Sequence, residues 1–207
     1  MPVSLEALSR SLEVLSENPI IIVPSLVPAI LDLLLKLAIM GARFHAFMHP
    51  LLMMQYYGLM MIGGFVTALV GFIAVAMEAD MANDVFQGAK ADLEKSLDRV
   101  LKTMGTLIGL AIISAIFAMT IILVPVALFL ITIAIVDEVG VGEAISRSFS
   151  FVTGNLGEVL LFVIAIVIID VILSLIPFIG GLLTWLANCV FIMASVLIYR
   201  RLSGKGP

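Results

Sequence analysis

Cysteine, histidine and charge are all scarce in this 207-residue chain, and each scarcity removes a class of function. The one cysteine, Cys189, lies inside an apolar run, so an intramolecular disulfide and a cysteine-based metal cluster are excluded and a small buried residue is what remains. Charged residues make up 13% of the chain, against about 25% in soluble domains. Hydrophobic residues reach 62% and the mean hydropathy is +1.25, values that belong to an integral membrane protein. The net charge of -4 says little about partners, because the charges cluster in short segments between apolar runs. Neither a nucleic-acid partner nor a cofactor is implied. Catalytic motifs are missing as well: there is no Gly-x-Ser-x-Gly elbow, His-Glu-x-x-His helix, phosphate-cradling glycine loop or aspartate pair of the intramembrane-protease kind. An enzyme is therefore not expected. The first apolar run starts near Pro19 behind Glu6, Glu13 and Glu17 instead of a basic region, so it is expected to stay as a span and not be cleaved as a leader.

What the chain does contain is a repeated stretch. Glu143 to Asn155, EAISRSFSFVTGN, nearly repeats Glu6 to Asn18, EALSRSLEVLSEN, and six of the thirteen pairs are identical: Glu6/Glu143, Ala7/Ala144, Ser9/Ser146, Arg10/Arg147, Ser11/Ser148 and Asn18/Asn155. A weaker third copy is Leu93-Glu94-Lys95-Ser96-Leu97, which follows the pattern of Leu8-Ser9-Arg10-Ser11-Leu12. In the first copy Leu5, Leu8, Leu12 and Leu15 recur at helical spacing opposite Glu6, Ser9, Arg10, Glu13 and Ser16, which describes a helix lying on a surface. A second surface helix is expected within Glu78 to Lys102, with Phe86, Ala89, Leu93, Leu97, Val100 and Leu101 on one face and a solvated face of Lys90, Glu94, Lys95, Asp98 and Arg99. The third is expected after the Asp137-Glu138 break, with Val141, Ile145, Phe149 and Val152 toward the membrane.

Membrane-length apolar runs follow each copy. Asn18-Pro19 reads as a cap with proline at the first helical position, opening a span from Ile20 to about Met40 that contains Pro24 and Pro28. A second span runs from about Met53 to Met77, where Gly63, Thr67 and Gly71 form a small-residue stripe suited to close helix approach. Thr103 to Val136 is apolar for 34 residues; at about 1.5 Å per residue one helix would far exceed a bilayer core of about 30 Å. Two short spans turning near Pro125 fit better, with one kinked helix as the alternative. Asn155 and Glu158 are spaced for an N-terminal cap of a fifth span ending near Ile176, and after Pro177 to Gly181 a sixth runs from Leu182 to Tyr199.

With six spans, Arg10, Lys90, Lys95, Arg99, Lys102, Arg147, Arg200, Arg201 and Lys205 collect on one side, which the positive-inside rule makes cytoplasmic together with both termini. Arg10, Lys95 and Arg147 are then expected at one depth as head-group contacts, with Ser148 beside Arg147. Within the membrane, Asp32 and Lys36 stand at i,i+4 and Asp170 sits at nearly the same depth in the fifth span. The sharp reading is an ion or proton path through the three; the plain one is a structural pair with Asp170 reaching the head groups. His45 and His49 share a helical face as metal ligands would, yet no third ligand is obvious, and two interfacial histidines is the plainer account. Thr184, Asn188 and Ser195 read as interhelical glue, Trp185 as packing or a lipid anchor.

The run Val136-Asp137-Glu138-Val139-Gly140-Val141-Gly142-Glu143-Ala144-Ile145-Ser146-Arg147-Ser148-Phe149-Ser150-Phe151-Val152-Thr153-Gly154-Asn155, with the Asn18-Pro19 start, resembles prokaryotic membrane families that include the membrane domain fused to some glycerophosphodiester phosphodiesterases. The resemblance implies a six-helix membrane module and carries over no catalytic residue. The expected architecture is thus all-α and polytopic in the cell membrane. It is one membrane domain over 1–207, with three repeats at about 4–78, 83–136 and 141–201, each a cytoplasmic interfacial helix plus a helical hairpin. The expected role is a non-enzymatic module that meets membrane lipids, a second copy of the chain or another membrane protein through its amphipathic helices. The alternative is a channel or transporter using Asp32, Lys36 and Asp170.

Overall fold

The computed structural model describes residues 2–46, 50–177 and 179–206, with side chains described for all of these except 41–46, 50–55 and 121. Among them there are nine α-helices and no strand: α1 (Val3–Glu17), α2 (Val23–Ala46), α3 (Pro50–Phe86), α4 (Leu93–Lys102), α5 (Met104–Ala118), α6 (Val124–Asp137), α7 (Val141–Gly154), α8 (Leu156–Ser174) and α9 (Gly180–Leu202). Short 3-10 turns at Pro19–Ile22 and Ile121–Leu123 lead into α2 and α6. Four helical stretches are long and apolar enough to cross a membrane: Pro19–Met40, Tyr56–Phe86, Leu156–Ser174 and Gly180–Leu202. The number rises to six if the bent pairs α4–α5 (78°) and α6–α7 (119°) each count as one span. The protein is an all-helical transmembrane protein.

The fold is built around α9. Every residue from Cys189 to Arg200 is buried, so this stretch is enclosed on all sides and is apolar or small nearly all round. Against it pack α1, α2, α3, α6 and α8. Because lipid tails are as apolar as leucine, such packing rests on close approach and interhelical hydrogen bonds more than on expulsion of water. The small-residue stripe of α3 serves this approach: a side chain on Gly63 would strike Leu35 of α2, one on Gly71 would strike the Trp185 ring of α9, and Thr67 between them is buried. Trp185 therefore packs on a glycine. Ser195 and Thr132 of α6 share a hydrogen bond of 2.7 Å, the interhelical glue expected of Ser195. Phe129, Phe151, Phe162 and Tyr199 form an aromatic cluster joining α6, α7, α8 and α9, with centroid separations from 4.9 to 6.2 Å.

Several local expectations are corrected. The surface helix placed within Glu78 to Lys102 begins only at Leu93, where Asp92 caps it by accepting from the Lys95 amide at 3.0 Å. Residues 78–86 instead prolong α3, since nothing there breaks a helix before Gly88, whose φ of 83° is the turn. Thr103 to Val136 forms two helices as expected, of 15 and 14 residues, but the turn precedes Pro125, which lies in the first turn of α6, where its missing N–H costs nothing. Val152 turns inward with Ala144, Ser148 and Phe151, because the buried stripe of α7 is rotated from the one expected; Ser148 is fully buried and donates to the Ala144 carbonyl, so it is no head-group contact. On α1 the inward stripe is Ser4, Ala7, Ser11 and Val14, leaving Leu5 and Leu12 exposed.

The Asn155–Glu158 cap also resolves differently. The Asn155 amide donates to the Phe151 carbonyl at 2.9 Å and so closes α7 instead of opening α8. Glu158 accepts from the amide and hydroxyl of Ser4, at 2.9 and 2.8 Å, and thereby caps the start of α1. An anion at those unmatched amides is favoured by the helix dipole.

Candidate functional site: a charged layer and its cavity

The charges that the sequence scatters along the chain converge into one layer at the ends of α3, α6 and α9. Asp80, Asn83 and Asp84 lie on the last turns of α3, brought to one face by their i,i+3 and i,i+4 spacing. Arg99 of α4 pairs with Asp80 at 2.9 Å and with both oxygens of Asp84, and Lys95 stands 3.9 Å from Asp84. Of the α4 face read as solvated, Lys90, Glu94, Lys95 and Asp98 are exposed as expected, while Arg99 turns to α3 as an ion-pair partner. Asn83 accepts from Arg200 of α9 at 2.8 Å, and Arg200 donates to the Lys205 carbonyl at 3.1 Å. Asp137 is a second hub: Arg147, Lys205 and the Tyr199 hydroxyl all donate to it, the last at 2.8 Å, and Lys205 also lies over the Tyr199 ring. Arg201 reaches Glu6 of α1 at 2.8 Å.

Between α4, α5 and α6 this layer holds a cavity of about 410 Å³, within the range of small-molecule sites. Asp80, Arg99, Lys102 and Glu138 bring charge to its lining; Leu107, Ala134 and Ile135 give it an apolar part. It sits where α4 turns into α5. Glu138 caps α6 in the left-handed region (φ 53°), the one non-glycine residue there among the described residues. Val139 N–H then bonds back to the Ala134 carbonyl at 3.2 Å, the six-to-one bond of a Schellman end, with glutamate where glycine is usual.

A second, fully enclosed group lies deeper. Glu78 on α3 is buried, accepts from the Ser25 hydroxyl of α2, and keeps its Oε2 without a partner. Cys189 is buried beside it and donates to the Ile21 carbonyl at 3.7 Å.

Of the residues singled out from sequence, Asp32 and Lys36 form a 2.6 Å ion pair, with side chains 21% and 54% exposed. The pair rests on the start of α9, where a side chain on Gly181 would collide with the Lys36 ammonium. Asp170 has a buried Oδ1 without a partner, and no described ion pair joins it to Asp32 or Lys36. Arg10 pairs with Glu13 at 2.6 Å, Lys95 with Asp84, and Arg147 with Asp137 and Glu143, which holds the exposed Arg147 guanidinium above its ordinary range. His49 and the side chain of His45 lie outside the described residues. Among the described residues no group of three or more His, Cys, Asp or Glu is placed to hold a metal ion.

Sequence reasoning missed Glu78, Asp80, Asn83, Asp84 and Glu138. The signal for the first four was present: they continue the helical period of the preceding span with no glycine or proline until Gly88. No protein-family model, no curated protein and no solved structure matches the chain.

Proposed function

We propose that the protein is a non-enzymatic membrane module that binds lipid head groups at the cytoplasmic face through α1, α4 and α7. The observation that carries this reading is the cavity at the α4–α5 bend, whose lining combines charged residues with apolar ones. That is the combination a lipid presents in its head group and acyl chain.

A threefold repeat supports the reading. Ser11, Ser96 and Ser148 stand at equivalent positions of α1, α4 and α7, and all three are fully buried. Seven residues on, Asn18, Thr103 and Asn155 each send a side-chain donor to the carbonyl four residues back, at 3.1, 3.1 and 2.9 Å, and so end the helix in the same way. On this reading the three units share an interfacial helix, a common cap and a turn into the membrane. Topology follows with six spans or with four spans and an α5–α6 hairpin that enters and leaves on one side, because both return the chain to the same face. Both termini are then cytoplasmic under the positive-inside rule. On this reading the module is akin to the membrane domain fused to some glycerophosphodiester phosphodiesterases.

A rival reading draws on the unpartnered Oδ1 of Asp170: a channel or transporter using Asp32, Lys36 and Asp170. Flux in proteoliposomes separates the two. The lipid-binding module gives no selective ion or proton flux, in wild type or in Asp170→Asn. Selective flux that disappears in Asp170→Asn or Asp32→Asn would overturn it.

A further inference from the structure

We propose that the cavity between α4, α5 and α6 takes a phosphate ester carrying a primary ammonium, the head of an aminophospholipid. The inference rests on the lipid-binding reading and names the head group. Two cations, Arg99 and Lys102, and two anions, Asp80 and Glu138, line the same cavity, and a ligand there shares the cations with Asp84, which holds Arg99, and Asp98, which holds Lys102. A bare anion would meet the two carboxylates and a bare cation the two bases; a zwitterion meets each with its opposite.

Unmet hydrogen bonds point the same way. Asp80 and Arg99 each keep a buried polar atom without a partner, Oδ2 on the acceptor side and Nε on the donor side. Asp80 is 6% exposed, and a carboxylate so buried with one oxygen unsatisfied is costly unless something donates to it. A primary ammonium has three N–H donors, and a guanidinium is suited to phosphate oxygens. A trimethylated ammonium has no donor to offer and fits less well. The Thr103 hydroxyl is spent on backbone carbonyls, whereas that of Thr106 makes no hydrogen bond among the described residues and faces no competitor for a phosphate oxygen. Leu107, Ala134 and Ile135 continue the lining as an apolar surface for the first acyl carbons.

Glu138 supplies an independent sign. A left-handed glutamate is disfavoured by roughly 1–2 kcal/mol, yet it lines the cavity within electrostatic range of Arg99 and has no described ion pair. The left-handed turn itself belongs to the Schellman end of α6; what bears on the ligand is a carboxylate at the cavity wall with no described ion pair.

The test uses the full chain in detergent micelles, titrated with equimolar phosphatidylethanolamine, phosphatidylcholine and phosphatidylglycerol of identical acyl chains and read by native mass spectrometry. Phosphatidylethanolamine should be retained about tenfold over phosphatidylglycerol, with phosphatidylcholine between them. Glu138→Gln and Lys102→Ala should each cut that preference severalfold. Glu138→Gly should cut it equally while leaving the unfolding temperature unchanged or higher, which separates loss of the ligand from loss of the fold. Equal retention of the three lipids, preference for phosphatidylglycerol, or an undiminished preference in Glu138→Gln overturns the head-group assignment and leaves the lipid-binding reading standing. Retention of neither lipid nor free phosphoethanolamine overturns both. Free phosphoethanolamine retained where the lipid is not would uphold the cavity's chemistry and overturn the lipid as its source.

Discussion

Asp137 and Glu158 are two acidic residues whose roles depend on partners far from them in the chain. Glu158 holds Ser4, 154 residues away, and hydrogen bonds to a charged acceptor contribute about 1.5–3 kcal/mol where they are sheltered. This one is partly open, so we expect a coupling nearer 1 kcal/mol in a double-mutant cycle of Ser4→Ala and Glu158→Gln, read from unfolding in detergent. Additive effects of the two changes would show that the Ser4 hydroxyl adds nothing to the cap, leaving the backbone amide as its donor. The local spacing of Asn155 and Glu158 favoured a cap within one helix, and sequence proximity carried no sign of the competitor. The Asp137-Glu138 break itself was legible from its two acids and following glycines. That Asp137 would gather Arg147, Lys205 and Tyr199 was not, because these donors come from α7, α9 and the C-terminal tail.

Among the elements, periodicity located the helices well and their inward faces less well. Apolar period alone cannot say which stripe meets protein when the alternative is lipid, since leucine is content in either. In α1 the stripe that meets protein is small, not leucine-rich, because Ser4, Ala7 and Ser11 let the backbone approach its neighbours. The same economy predicts the outcome of enlarging Gly71. Gly71→Leu should lower stability by about 1–3 kcal/mol through overpacking, and Trp185→Ala in the same chain should recover a good part of it. Failure of that rescue would mean that α3 and α9 do not meet there. At the caps, Asn18→Ala, Thr103→Ala and Asn155→Ala should each raise amide exchange in the last turn of its own helix, α1, α4 or α7, and leave the other two as they were. A change spread over all three would point to a general loosening instead of a local cap.

For the molecule as a whole, composition sufficed to identify a membrane protein, and the charge distribution anticipated one layer of charge. It could not anticipate how completely that layer would be paired internally, which is a matter of three dimensions. Arg10, Lys95 and Arg147 should all label from one side when converted singly to cysteine in a Cys189→Ala chain in sealed vesicles; labelling of any one from the opposite side would break the proposed arrangement. Helices α5 and α6, of 15 and 14 residues, reach only about 22 Å at ~1.5 Å per residue, well short of a hydrocarbon core of about 30 Å. Their connecting tip carries Met119 and Ile122, 86% and 87% exposed, with no charge to draw it into water. Lipids beside this hairpin must either shorten their chains or leave the tip in the acyl interior, and each ångström of mismatch has its cost. Where α5 and α6 cross as full spans, the bilayer should therefore be thinned locally beside them, while the longer α2, α3 and α9 match its full thickness.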